Sequence, residues 1–163
     1  LEKLAERGDE TAFSLPRPLI GHDNCNFSFS GLKTALIRLS RKLEPVDQVT
    51  KINIAASYQK AVIECLVDRT KNSIKLSKKI HPDLIIKNLV ASGGVAANKR
   101  LAEELRNLAA DNRMKFISPP AELCTDNAAM IAWAGCLRMK EGLLNDEKIS
   151  AKARWPLEEV VKK

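Results

Sequence analysis

Between Ile86 and Trp133 the chain reads as two short apolar runs, each followed by a helix pattern, and this alternation limits the fold more than any other stretch. Leu89 to Ala91 runs into Gly93-Gly94, and a helix is expected at once, with Leu101, Leu105 and Leu108 on one stripe. Phe116 and Ile117 then stop at Pro119-Pro120, and a second helix is expected beside Thr125-Asp126. Strand, glycine turn, helix, strand, loop, helix is the order of an α/β fold. In open sheets of this kind, ligands sit where strand ends become helix starts.

The flanking segments are mostly helical. Leu1 to Arg7 reads as the end of a helix closed by Gly8. Two prolines keep residues 14–19 out of a helix, because each biases the residue before it to extended backbone. A turn-rich stretch around Gly21, His22, Asp23 and Asn24 follows, and the alternation N-F-S-F-S predicts a short strand with Phe27 and Phe29 on one face. Ser30-Gly31 opens a helix whose apolar side is Leu32, Ala35, Leu36, Leu39 and Leu43, stopped at Glu44-Pro45. A long helix with room for one break is expected from about Asp47 to Ile80, ended by His81-Pro82. The last helix is expected to run to about Glu141 and stop at Gly142, with Trp155 and Leu157 pinning the tail to the surface.

At 163 residues the chain suits one domain with a modest core. Its 27 Lys and Arg against 20 Asp and Glu give +7, a balance that favours a polyanionic partner. Lys33, Arg38, Arg41 and Lys42 read first as a solvated helix face, and the lysine-rich helix end Lys71, Lys75, Lys78 and Lys79 complements the helix dipole. Aromatic residues are only 4%, which argues against a base-stacking platform. No apolar run approaches the roughly 20 residues of a membrane span, so no membrane partner is expected. The four cysteines form no CxxC and read as reduced, buried thiols, which suits a cytoplasmic protein. The chain opens within a helix pattern and without Met, so it is read as part of a longer protein.

Few residues carry chemistry. Gly93-Gly94 after a strand let backbone approach a ligand, and a helix start behind them favours anions; a plain tight turn is the alternative. Asn98, expected one turn into that helix, is placed to bond a ribose or carbonyl. Neither GxxxxGK[ST] nor GxGxxG occurs, which removes the P-loop and Rossmann readings. Asp126 reads locally as an N-cap, and as a metal ligand only with partners, because one carboxylate makes no metal site. His22 and His81 lie in separate loops, and Cys124 reads as a structural thiol before a nucleophile.

Four segments together resemble a known family: F-S-F-S-G-L-K-T-A (27–35), I-A-A-S-Y-Q-K-A-V (54–62), A-S-G-G-V-A-A-N-K-R-L (91–101) and P-P-A-E-L-C-T-D-N-A-A-M-I-A-W-A-G (119–135). They are similar to the TsaD family, the tRNA N6-adenosine threonylcarbamoyltransferases, once called O-sialoglycoprotein endopeptidases. The opening L-E-K-L-A and the closing R-W-P-L agree with it. The resemblance implies the C-terminal part of a lobe of the ASKHA group, the RNase H-like superfamily of actin, heat-shock chaperones and sugar kinases, helix-rich with a small incomplete sheet. It divides the chain into a helix-and-strand segment over 1–46 and a nucleotide-binding part over 47–163, packed as one unit.

The resemblance also implies a reaction: transfer of threonylcarbamoyl from threonylcarbamoyl-AMP to N6 of the adenine following the anticodon, in tRNAs that read ANN codons. It implies a bound Fe2+ or Zn2+ with Asp126 as the carboxylate ligand. Asn98 is then the substrate-binding asparagine, and Gly93 and Gly94 form the nucleotide-side turn. Partners are tRNA, TsaB-like and TsaE-like proteins. The match covers only the C-terminal half of family members, which are about twice as long. Their HxxxH metal motif and Gly-His-Thr phosphate-loop region belong to the N-terminal half, so the chain alone is expected to be inactive. Two other readings compete: a non-catalytic ASKHA-lobe module that dimerises or docks, and an ASKHA kinase or ATPase lobe. The T-D-N-A-A-M run argues against the kinase, and the lack of a nucleophile or HExxH argues against a protease.

Overall fold

The structure is a computed structural model and describes residues 1–143. It comprises two units, Leu1–Thr125 and a second from Asp126 onward. The expected tail contacts of Trp155 and Leu157 lie outside the described residues.

The first unit is built on one long helix. Helix α1 spans Glu2–Ala5, α2 spans Ser30–Lys42 and α3 spans Gln48–Ile80, 33 residues without a break. Asp47 starts α3 by accepting the Thr50 N–H at 2.6 Å, and His81 before Pro82 ends it. Strand β1 (Asn88–Val90) pairs in parallel with β2 (Lys115–Ile117), in the register Asn88–Lys115, Leu89–Phe116, Val90–Ile117. Helix α4 (Lys99–Asp111) connects them, which is the β-α-β unit that the sequence predicts.

Three apolar clusters hold α3 to its neighbours. Leu101, Leu105 and Leu108 of α4 pack with Ile63 and Ile74 of α3, and Leu89 and Phe116 cover this cluster from the strands. Leu32 of α2 is fully buried with Leu15 and Ala61, and Phe29, Ala35 and Leu39 lean on it. Ala5 meets Ala55 and Ala56 where α1 crosses α3.

Two expectations change here. Residues 26–30 form no strand, and the sheet contains β1 and β2 only among the described residues. Alternation alone makes a strand only where another strand takes its backbone bonds, and here Phe29 turns into the core while Phe27 stays 54% exposed. Gly8 does not close α1 as a left-handed cap. The helix stops at Ala5, and Gly8 lies against α3, where a Cβ would sit 2.4 Å from the Ile52 carbonyl oxygen.

The described part of the second unit holds one helix, α5 (Ala128–Lys140), after a short 3-10 turn at Ala121–Leu123 that belongs to the first unit. Asn127 caps α5 by accepting the Met130 N–H at 2.8 Å. The expected cap therefore moves one residue on from Asp126. Gly142, at φ +71°, follows the helix end, and the Leu143 N–H returns to the Arg138 carbonyl at 2.9 Å. None of the residues of α5 is buried, although Ile131, Trp133 and Leu137 are large and apolar. Among the described residues no helix is long and apolar enough to cross a membrane.

Candidate functional site

Helix α4 does not follow the glycines at once. Gly93 turns the chain at φ +92°, a region that side chains rarely enter. Two further turns follow, closed by Ala96 N–H to Gly93 O at 2.9 Å and Asn98 N–H to Val95 O at 3.1 Å. Helix α4 begins only at Lys99, so Asn98 is its N-cap and not a residue one turn inside.

The capping chemistry decides what that helix start can do. Asn98 Oδ1 accepts the Leu101 N–H at 2.9 Å, and the Glu2 carboxylate accepts the Lys99 N–H at 2.8 Å. Two of the orphan donors at the start of α4 are therefore satisfied, one of them by an anion. The helix start is not the open anion site that a glycine turn running straight into a helix would make. Asn98 Nδ2 donates to Gln59 Oε1 at 3.1 Å, which ties α4 to the middle of α3. A side-chain amide has two N–H groups and two lone pairs, so Asn98 keeps one of each for a further partner.

That remaining capacity faces a cavity of about 590 Å³ in the first unit. Phe29, Tyr58, Val62 and Leu101 give it an apolar wall, and Gln59, Asn98 and Glu2 bring polar atoms. Gly94 lines it as well, and Gly93 sets the turn that leads into it. This is the size and make-up of a site for a flat apolar ring with polar substituents. The missed participants are Gln59, Tyr58 and Phe29. Gln59 was visible only as a polar residue on the apolar stripe of α3, and that position was its signal.

A charged clamp joins α3 and α4. Glu10 joins Lys60 of α3 at 3.0 Å and also pairs with Arg100 of α4. Its bonds to Arg100 and Lys60 hold the Glu10 carboxyl below the usual carboxylate range. Arg17 and Glu64 pair farther along α3, at 2.6 Å.

Asp126 is exposed and belongs to the second unit, beside the start of α5. Among the described residues no three His, Cys, Asp or Glu side chains gather into a metal-binding group. One carboxylate is at most one of the ligands that iron or zinc needs, so these residues do not hold a metal by themselves. Cys124 is buried and its thiol lies 3.6 Å from the Pro119 carbonyl, which fits a structural thiol. Cys65 is also buried, and burial pushes its thiol up, away from the reactive thiolate. Cys136 is exposed, contrary to the expectation that the thiols are buried.

The sequence profile of a family described as TsaD, tRNA N6-adenosine threonylcarbamoyltransferase, matches residues 1–133. This chain belongs to the TsaD family. A protein of Brucella suis named tRNA N6-adenosine threonylcarbamoyltransferase is 46% identical over 159 residues, covering 98% of this chain. A protein of the same name from Brucella ovis is 45% identical over the same length. In both cases the TsaD-family chain described here spans 44% of the relative, a little under half its length.

Proposed function

We propose that this chain is part of a transferase that moves threonylcarbamoyl from threonylcarbamoyl-AMP to N6 of the adenine following the anticodon of tRNA. The observation that carries the reading is the meeting of Gly94 and Asn98, two residues of the family-like A-S-G-G-V-A-A-N run, on one cavity. The adenylate's base lies against the wall of Phe29 and Tyr58, and Asn98 offers its spare N–H and lone pair to ribose or carbonyl oxygen. The N6 amine of the tRNA adenine then attacks the carbamoyl carbon, the bond from that carbon to the phosphate oxygen breaks, AMP leaves with the bonding electron pair, and the displaced N6 proton passes to water. No covalent enzyme nucleophile is needed, in keeping with the buried thiols of Cys65 and Cys124.

In the whole protein, Asp126 is one ligand of an Fe2+ or Zn2+ ion whose other ligands come from outside this chain. The ASKHA-type lobe, the cytoplasmic location and work alongside TsaB-like and TsaE-like proteins belong to the same reading. So does inactivity of this chain alone. The apolar helix α5, with Ile131 68% and Trp133 64% exposed, favours a second reading, a module that only docks with other chains.

Asn98 separates a ligand role from a capping role. In the full-length transferase, Asn98→Ser keeps a hydroxyl able to cap α4 but loses the amide. Its melting temperature is expected to stay within a few degrees of wild type, because good caps replace one another at well under about 1 kcal/mol. The KM for threonylcarbamoyl-AMP is expected to rise about tenfold, the worth of one lost hydrogen bond near 1 kcal/mol or slightly more. An unchanged KM in a folded Asn98→Ser protein would sink the assignment.

A further inference from the structure

The end of the first unit farthest from the cavity gathers six exposed cations. Lys75, Lys78 and Lys79 lie on the last turns of α3, Lys87 precedes β1, Arg113 follows α4 and Lys115 opens β2. Contacts hold these places together. Lys78 Nζ donates to Asn112 Oδ1 at 3.0 Å, Arg113 N–H donates to Ala110 O at 2.9 Å, and Lys115 N–H donates to Lys87 O at 2.8 Å.

Four cations of this unit meet acids: Arg17 with Glu64, Lys60 and Arg100 with Glu10, Arg69 with Asp68. None of the six has such a partner among the described residues. The opposing charges at this end are Asp83, Asp111 and the C-terminal dipoles of α3 and α4, about half a charge each. Roughly three positive charges remain in excess. The α2 cations lie along one helix, whereas these come from α3, the end of α4 and the two strands and so form a patch.

We propose that this end docks the phosphate backbone of the tRNA whose adenine is modified; the inference rests on the transferase reading. Lysines bind phosphate as point charges and read no sequence, and the cluster carries no aromatic side chain for base stacking. Helix α4 has 13 residues, so the cluster lies about 20 Å from the Asn98 end. The surface therefore grips a part of the folded RNA remote from the reacting base.

The test is fluorescence anisotropy of the chain with a folded tRNA transcript over a range of salt concentrations. The variant K78E/K79E/K115E is compared with K33E/R38E/R41E, which makes the same charge change on the exposed face of α2, and circular dichroism checks folding. The first triple is expected to weaken binding at least about tenfold and flatten the slope of log affinity against log salt by about three. The second is expected to stay within about threefold of wild type. Equal loss in both triples would overturn the surface by showing unlocalised attraction. So would loss of binding to phosphatidylserine vesicles with tRNA binding intact. In full-length protein, undiminished tRNA binding and modification by the first triple overturns the surface and leaves the reaction standing. Absence of modification by wild type overturns the reaction, and the binding comparison still reports on the surface.

Discussion

Arg69→Ala lowers the thermal midpoint of the first unit by roughly 6–12 °C, the equivalent of about 3 kcal/mol in a chain of this size. Arg69 is only 1% exposed, deep on α3. Its Nη1 donates to the carbonyls of His22 at 2.9 Å and Asn24 at 2.8 Å, and its Nε donates to Asp68 at 2.9 Å. The guanidinium thus pins the turn-rich segment before Phe29 against the long helix. Removing it leaves the Asn24 carbonyl with only the 3.4 Å contact of Asn72, and His22 with Asn72 alone. His22 and Asn24 are exposed, so water replaces part of what their carbonyls lose and that loss stays at about 1 kcal/mol; the rest comes from the packing of the buried guanidinium and its Asp68 partner, discounted because Asp68 is 28% exposed. Arg69→Lys is expected to recover less than half, because one ammonium cannot span three acceptors in a fixed fork. Calorimetry checks this, and an alanine variant melting with wild type would refute it.

Gly8→Val comes next in size, with an expected loss of at least about 2 kcal/mol. A Cβ at Gly8 would stand 2.4 Å from the Ile52 oxygen, 2.8 Å from its carbonyl carbon and 2.9 Å from Ala56 Cβ. Two of these are backbone atoms in the first turns of α3, so relief requires α1 to move off that helix. The displacement reaches the candidate site, since Glu2 of α1 both lines the cavity and accepts the Lys99 N–H. Gly8→Val is therefore expected to loosen amide protection at Lys99 as well as lower the melting point. Hydrogen exchange at Lys99 unchanged in a destabilised variant would separate the two effects and contradict the linkage.

These two residues show where the sequence was legible and where it was not. Apolar periodicity located α2, α3 and α4 and the two strands, because burial of Leu32, Ile63, Leu101, Leu105 and Leu108 writes a period into the chain. Asp47 and Pro82 marked the ends of α3 by local chemistry alone. Arg69 was illegible: a charged residue in a helix reads as solvated unless the loop carbonyls it bonds are already known. Gly8 was read as a cap because its close approach to Ile52 depends on helix crossing, a tertiary fact. The expected strand at residues 26–30 failed for the same reason, as pairing is not written in one segment. At the site, the A-S-G-G-V-A-A-N run was visible, but the two turns that delay α4 and make Asn98 its cap were not. Periodicity sees helices, and it does not see the turns that lead into them.

The most direct measurement is threonylcarbamoyl-adenosine formed in tRNA by this chain alone and by this chain with the N-terminal half of a TsaD relative, alongside metal content. The expected result is product and bound iron or zinc only in the pair, both lost in Asp126→Ala. A reconstituted, folded pair that binds no metal and forms no product would contradict the transferase reading, and an Asp126→Ala pair that keeps both would contradict the role of Asp126 as a metal ligand.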